Sequence, residues 1–165
     1  MKKYKKIVAI QGDSIQTINT KTDTTFLLAL EAQRRGYTIY YYETKNLTYS
    51  NKIVYALAKE VKFNENKKNF YSFKSSQLLD LSKAKFILMR QNPPFNMDYI
   101  TATFLLERVP KATQVINNPF SVRNMPEKLC SIDFLNLMPP TLFTKDFKEI
   151  KKFKKKHKKI VIKPT

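Results

Sequence analysis

The sequence predicts an α/β fold organised around a parallel sheet, and three observations predict it. Ile7-Val-Ala-Ile10 is a short apolar run between lysines and a polar stretch over 11–22, the texture of a strand buried on both faces. Residues 24–35 carry a helical pattern, and residues 37–43 alternate aromatic and β-branched side chains as a strand does. Strand, helix, strand in that order is the pattern of a parallel crossover.

Each element has a local reason. Asp23 is placed to cap the 24–35 helix, with Phe26, Leu27 and Leu30 on one face and Gly36 positioned to end it. Residues 47–63 admit two readings: Ile53, Leu57 and Val61 recur at helical spacing, whereas Ser50-Asn51 can form the turn of a hairpin. Phe86-Ile-Leu-Met89 reads as a third buried strand. It leads into Arg90-Gln-Asn-Pro-Pro-Phe95, where two prolines forbid regular structure. Asn96 is placed to cap a helix whose apolar face is Met97, Ile100, Phe104 and Leu105. Residues 114–117 read as a fourth strand.

After Asn118-Pro119 the texture changes to short helical pieces at 121–124 and 127–134, then a break at Met138-Pro-Pro140, which puts a boundary near residue 120. Residues 141–144 read as a strand. Asp146 and Glu149 read as a capping pair for a helix carrying Phe147, Ile150 and Phe153, and Ile160-Val-Ile162 reads as a last strand. That strand ends at Lys163-Pro-Thr165 with no closing element. The sequence is therefore expected to stop within a module, leaving an edge that proteins normally cover.

Composition narrows the class. A length of 165 residues suits one complete domain and little more. With 42% hydrophobic and 27% charged residues the chain is expected to be globular rather than disordered. No apolar stretch approaches the ~20 residues that span a bilayer. Met1-Lys-Lys-Tyr-Lys-Lys6 is followed only by Ile7–Ile10, too short for a signal peptide, so the cytoplasm is the compartment expected. Cys130 and His157, each the single residue of its type, leave no internal disulfide and little for a zinc site or a Cys–His dyad. Gly12 and Gly36 are the two glycines, and no Walker-type loop is present. The net charge of +18 can draw polyanions. Only five of the 31 basic residues are Arg, however, and nucleic-acid readers rely on Arg for bidentate contacts. The lysine excess reads as compositional bias, so nucleic acid is not the expected partner.

Four segments together resemble the amino-terminal region of the bacterial glutathione synthetases, members of the ATP-grasp superfamily. They are Leu30-Glu-Ala-Gln-Arg-Arg-Gly36, Ile87-Leu-Met-Arg-Gln-Asn-Pro-Pro-Phe95, Ala102-Thr-Phe-Leu-Leu-Glu-Arg108 and Asn117-Asn-Pro-Phe-Ser-Val-Arg-Asn-Met-Pro-Glu-Lys-Leu129. The resemblance covers the whole chain. It implies a Rossmann-like parallel-sheet substrate domain over residues 1–122, the one that precedes an ATP-grasp fold, followed over 123–165 by a truncated first part of the ATP-grasp module. It also assigns 47–63 to a hairpin. The activity it implies is ligation of γ-glutamylcysteine to glycine, with ATP and magnesium, by an enzyme that is a homo-oligomer when complete. The glycine-rich phosphate loop and the acidic magnesium ligands of the family lie downstream of this chain, so no catalytic residue is expected here and the chain alone is expected to be inactive.

By the same resemblance Lys128, in Glu127-Lys-Leu129, and Lys163, in Ile162-Lys-Pro164, are the ATP-binding lysines. The bland alternative for each is a solvated surface lysine, as Lys154–Lys159 reads. Arg90 follows the third buried strand, and open α/β sheets bind ligands beyond the carboxyl ends of their strands, so Arg90 is a candidate for a substrate carboxylate. Asp23, Thr24 and Thr25 open the first helix, where backbone N–H groups can receive an anion. A structural salt bridge and ordinary capping are the competing explanations. Three positions depart from the family pattern: Asn92 and Asn96 stand where acidic residues are usual, and Asn118 where a basic one is frequent. Two other functions remain open, another ATP-grasp carboxylate–amine ligase and a basic polyanion-binding module over 145–159.

Overall fold

The computed structural model describes residues 6–65, 69–126 and 128–163. The lysine-rich start over 1–5, Glu127 and the Pro164-Thr165 end lie outside the described residues. The chain divides into two compact units, Met1–Asn124 and Met125–Thr165. No helix among the described residues is long and apolar enough to cross a membrane.

In chain order the first unit contains β1 (Ile7–Gln11), α1 (Thr24–Arg34), β2 (Thr38–Tyr42), β3 (Leu47–Ser50), β4 (Ile53–Phe63), β5 (Tyr71–Asp80), β6 (Phe86–Met89), α2 (Met97–Leu106), β7 (Gln114–Ile116) and α3 (Pro119–Asn124). The strands form one sheet in the order β3-β4-β2-β1-β6-β7, with β5 also paired to β4. β2, β1, β6 and β7 are parallel, as the crossover pattern predicts. The sheet as a whole is mixed, because β3, β4 and β5 run antiparallel to their neighbours. A two-residue connection permits no other arrangement of β3 and β4.

That connection is Asn51-Lys52, both residues with positive φ (50° and 64°), as a tight hairpin turn demands. Residues 47–63 are therefore the hairpin, turning one residue later than Ser50-Asn51. The helical spacing of Ile53, Leu57 and Val61 misleads because the buried set alternates instead: Val54, Ala56 and Ala58 face the core while Leu57 is 51% exposed. β5 had no sequence signal. Its residues are mostly polar and exposed, and it is held by backbone pairing to β4.

The two sheet faces carry separate cores. Val8, Ile10, Ile39, Tyr41, Val61 and Phe63 meet Phe26 and Ala29 of α1 on one face. Ala9, Tyr40, Tyr42, Ile87 and Met89 meet Leu106 of α2 on the other. α1 begins where Asp23 accepts the backbone N–H of Thr25 at 2.7 Å and is followed by Gly36 at φ +79°. Its buried face is Phe26 and Ala29, with Leu30 beside them, while Leu27 is 60% exposed, contrary to expectation. At 100° per residue Leu27 follows Phe26 around the helix and away from the sheet.

The apolar face expected for α2 is also revised. Met97 is 69% and Phe104 46% exposed, and the buried residues are Ala102, Thr103 and Leu106. Small side chains bring the helix close to the sheet. Phe104 is instead covered by the Arg123 guanidinium, 3.8 Å from its ring centroid, which donates to Thr103 Oγ1 at 3.0 Å and pairs with Glu107 at 3.1 Å.

The second unit contains a 3-10 segment, Cys130–Leu137, and α4 (Phe147–His157). The helical piece expected from 127 thus begins later. Residues 141–144 and 160–162 form no strand, because no ladder partner exists for them among the described residues of this unit. Asp146 caps α4 by accepting Lys148 N at 2.7 Å. Glu149 pairs with Lys152 at 2.6 Å, so it does not close the capping box.

Candidate functional site: a crevice at the ends of two parallel strands

β1 is continued through α1 to β2 on one side of it, while its other neighbour, β6, is continued through α2 to β7 away from it. The chain thus diverges at the β1–β6 pair, and the carboxyl ends of two such strands leave a crevice for ligands. Two backbone bonds hold its rim in register beyond the strands, Arg90 N to Gln11 O at 2.7 Å and Gly12 N to Tyr42 O at 3.0 Å.

Arg90, the first residue past β6, is half-buried and reaches the start of α1. Its Nε donates to Thr25 Oγ1 at 3.0 Å and Nη2 donates to Thr24 Oγ1 at 2.7 Å. The structure therefore brings Asp23, Thr24, Thr25 and Arg90 together. Arg90 has no carboxylate partner among the described residues, so it is not a structural salt bridge. Two of its five N–H donors are used by the threonines, leaving three for another acceptor. Asp23 plays the capping part, its carboxylate engaged by Thr25 N.

Across the crevice, Asp13 follows β1 and Gly12. Its Oδ2 accepts Asn92 N at 3.0 Å and Asn92 Nδ2 at 2.8 Å, so Asn92, a departure from the family pattern, is employed in holding a carboxylate. The Asp13 carbonyl accepts the Tyr41 hydroxyl at 2.7 Å. Gly12 makes this possible, because a Cβ there would lie 2.1 Å from the Tyr41 hydroxyl oxygen. Burial, with Asp13, Asp23 and Glu43 adding to it, pushes the Tyr41 phenol well above its ordinary value. It is a neutral donor at physiological pH.

Tyr99, in the first turn of α2, borders the same space. Burial raises its phenol pKa, Arg90 opposes the rise and Asp13 adds to it. Asn96 caps α2 through Tyr99 N at 3.0 Å and so sets that turn. Below the rim, Gln11, fully buried, and Gln91, 9% exposed, carry side-chain amides with no hydrogen-bond partner, and so does the buried Tyr42 hydroxyl. Gln11 is register partner to both Tyr42 and Met89, which places this polar group on the α2 face of the sheet. Buried polar groups left unmade cost about 1–3 kcal/mol each, so in a native protein they mark a place where water or a ligand binds.

Sequence reasoning missed Asp13, Gln11, Gln91 and Tyr99. One signal was available: one of only two glycines stands immediately after the first buried strand, where a close approach is needed. An open groove of about 570 Å³ runs along β7 and the start of α3, lined by Glu107, Gln114, Ile116 and Phe120 among others. It holds none of the candidate residues, and its one carboxylate is engaged by Arg123. The crevice is the better candidate because it gathers opposite charges and unmet donors at strand ends.

In the second unit Lys128 and Lys163 are both exposed, in separate non-helical stretches. The Lys128 carbonyl accepts the Ser131 hydroxyl at 2.7 Å. Beside α4 a depression is lined by Phe147, Ile150, Ile160 and Ile162 and edged by lysines including Lys151 and Lys154. Asn118 accepts Ser121 N at 3.0 Å and so opens α3. Among the described residues no group of three or more His, Cys, Asp or Glu side chains is placed to hold a metal ion.

Comparison with known proteins gives two family matches. The family described as "Prokaryotic glutathione synthetase, N-terminal domain" matches residues 7–123, and "Prokaryotic glutathione synthetase, ATP-grasp domain" matches residues 127–165. Among curated relatives, the glutathione synthetase of Rhodopseudomonas palustris is 43% identical over 157 residues, 95% of this chain and 50% of the relative. That of Agrobacterium fabrum is 42% identical over 159 residues, covering 96% and 50%. That of Vibrio cholerae is 41% identical over 158 residues, covering 95% and 50%. The chain spans about half the length of the curated relatives it matches.

Proposed function

We infer, for a chain that belongs to the prokaryotic glutathione synthetase family, that it supplies the substrate-carboxylate side of an ATP-dependent carboxylate–amine ligase. The observation that carries this reading is the Arg90 guanidinium, tied to Thr24 and Thr25 at the amino terminus of α1 with three N–H donors to spare. The substrates are γ-glutamylcysteine and glycine, in a cytoplasmic enzyme that is a homo-oligomer when complete. Residues 1–122 form the substrate domain and residues 123–165 the first part of the ATP-grasp module. ATP and magnesium are the cofactors of this reading.

The reaction needs activation because a carboxylate is a poor electrophile. Transfer of the γ-phosphoryl group of ATP to a carboxylate oxygen gives an acyl phosphate and ADP. The glycine amine then attacks the acyl carbon, the carbon–oxygen bond to phosphate breaks, and the amine loses a proton as the amide forms. Lys128 and Lys163 contribute positive charge towards the nucleotide phosphates, a role supported by their placement within the matched ATP-grasp segment. Arg90 and the first turn of α1 orient the peptide substrate. Asp23 holds that turn.

Titration calorimetry with γ-glutamylcysteine tests the carboxylate site. Arg90→Ala is expected to weaken binding by at least roughly tenfold, the size of a lost charge-assisted pair, while leaving ATP binding unchanged. Equal affinity in the variant would refute the assignment. For the nucleotide, Lys163→Ala is expected to weaken ATP binding and leave the dipeptide unaffected.

A further inference from the structure

The sheet of the first unit has three open edges, and one differs from the others. β3 and β7 stand at the ends of its path with four and three residues, the short edges that proteins leave uncovered. β5 is ten residues long, pairs with β4 along one side and has no strand on the other among the described residues. Ser72 and every residue over 74–78 are exposed. The usual guards are thin: the strand holds no proline, and its one lysine, Lys74, is tied to Glu60 at 2.6 Å. Asn64 N donates to Phe70 O, so the even-numbered residues of β4 turn their backbone groups to β5, where Ser72, Gln77 and Leu79 answer them. Tyr71, Phe73, Leu78 and Asp80 then direct theirs to the open edge.

Where the register shifts, Lys59 stands opposite Ser76 and Val61 opposite Phe73, which leaves Glu60 facing two residues, Lys74 and Ser75. A bulge commonly guards an edge; this one also makes the strand self-complementary. Residues five apart in a regular strand face opposite ways, but Phe73 and Leu78 lie opposite Val61 and Leu57 and so share a face. Laid antiparallel against a copy of itself, β5 therefore has a register that uses all ten residues. Phe73 meets Leu78, Tyr71 meets Asp80 and Ser72 meets Leu79, each pair on a common face. The first two of these pairs join residues whose backbone groups point outwards, as a hydrogen-bonded ladder requires. Leu78, 61% exposed beside the 51% exposed Leu57, comes against the partner's Phe73. No like charges are opposed, since Lys74 meets Gln77, and the strand's two charges, Lys74 and Asp80, cancel within a chain of +18. Local neutrality lets a second basic chain approach here.

We propose that β5 is a dimerisation strand: two copies of this chain pair through it, antiparallel about a two-fold axis at Ser75-Ser76, and join their sheets into one. The contact uses the same patch on both copies, so it closes at two and leaves no open β5 edge. The inference rests on the homo-oligomer reading given above and names its surface. It involves neither the crevice nor the two lysines of the second unit.

Sedimentation velocity on the unaltered chain over a concentration series is expected to show a species of twice 19.4 kDa. Leu78→Pro removes an outward N–H and no bond to β4, and Leu78→Lys sets a charge against the partner's Phe73. Each is expected to weaken association by at least roughly tenfold, with the circular dichroism spectrum unchanged. In a Cys130→Ser background, Phe73→Cys combined with Leu78→Cys is expected to give a disulfide-linked dimer on mild oxidation. Within one chain these positions lie roughly 15 Å apart along the strand, beyond disulfide reach. A dimer that survives both Leu78 substitutions and forms no cross-link overturns this surface and leaves the homo-oligomer reading standing. A monomeric unaltered chain overturns both for these two units, and an open series of larger species overturns the two-fold register. Leu78→Lys, a change at an exposed position, decides the matter even where the proline variant does not fold.

Discussion

The two units of this chain both carry apolar residues and differ in what they bury. In the first, a seven-stranded sheet carries a core on each face, and Ala9, Ile10, Ala29, Ala56, Ala58, Leu81 and Ile87 are fully enclosed. In the second, no described residue is buried, and Leu137, Val161 and Ile162 are 78%, 83% and 72% exposed. Apolar content is present in both. The difference is a ladder: strands in the first unit have partners, so side chains of alternate residues are delivered to a common face. In the second, residues that would suit a strand have no ladder partner among the described residues, and the apolar side of α4 meets only a shallow depression shared with Ile160 and Ile162.

The largest expected effect contrasts one aliphatic residue from each unit. Ile87→Ala removes a fully enclosed side chain between β1 and β7 and is expected to cost about 2–5 kcal/mol, whereas Ile162→Ala should stay within about 0.5 kcal/mol. Urea denaturation followed by circular dichroism measures both. Similar losses would break the contrast. A smaller effect is expected at the crevice, where Gly12→Ala forces Tyr41 aside and is expected to cost about 1–3 kcal/mol, with part of the loss absent when the change is made in Tyr41→Phe. Strict additivity in that double-mutant cycle would show that the two residues do not meet.

The smallest effect lies on the solvent face of α1. Arg34 and Arg35 hold the Glu31 carboxyl at about 2, below its ordinary 4.5. A carboxyl with a depressed folded-state pKa stabilises above its unfolded value, and that contribution is lost as pH falls through about 2. The melting temperatures of the parent and Glu31→Gln should therefore differ slightly at pH 7, more in low salt than in high, and converge near pH 2. A difference that persists there would assign the effect to something other than this charge.

The parts of the fold legible in the sequence were those governed by local rules. Asp23, Asn96 and Asp146 cap the helices that follow them, and the run Ile7–Ile10 is a doubly buried strand, because a cap or an apolar run carries its reason within a few residues. The faces of α1 and α2 were not legible, since which side of a helix is buried depends on what it meets: Phe104 satisfies itself against Arg123, and Ala102 goes inside because it is small. β5 was invisible for the same reason, its place being set by β4. At the site, Arg90 and the start of α1 followed from the strand-end rule. Asp13 did not, because its bonds to Asn92 come from a strand end distant in sequence, and Asn92 reads from sequence as a lost acid when it holds one in place.

One contact fixes more than its size suggests. The Gln33 side chain donates from Nε2 to Phe63 O at 2.9 Å and accepts Phe63 N at 2.6 Å, so an amide on α1 imitates one residue of a neighbouring strand at the end of β4. A helix rises about 1.5 Å per residue, which makes the nine steps from Gln33 back to Thr24 a rod of about 14 Å. One end of the rod is registered against the sheet as a rung would be, and the other presents hydroxyls to Arg90. The height at which the threonines meet the guanidinium is thereby gauged from the opposite end of the helix.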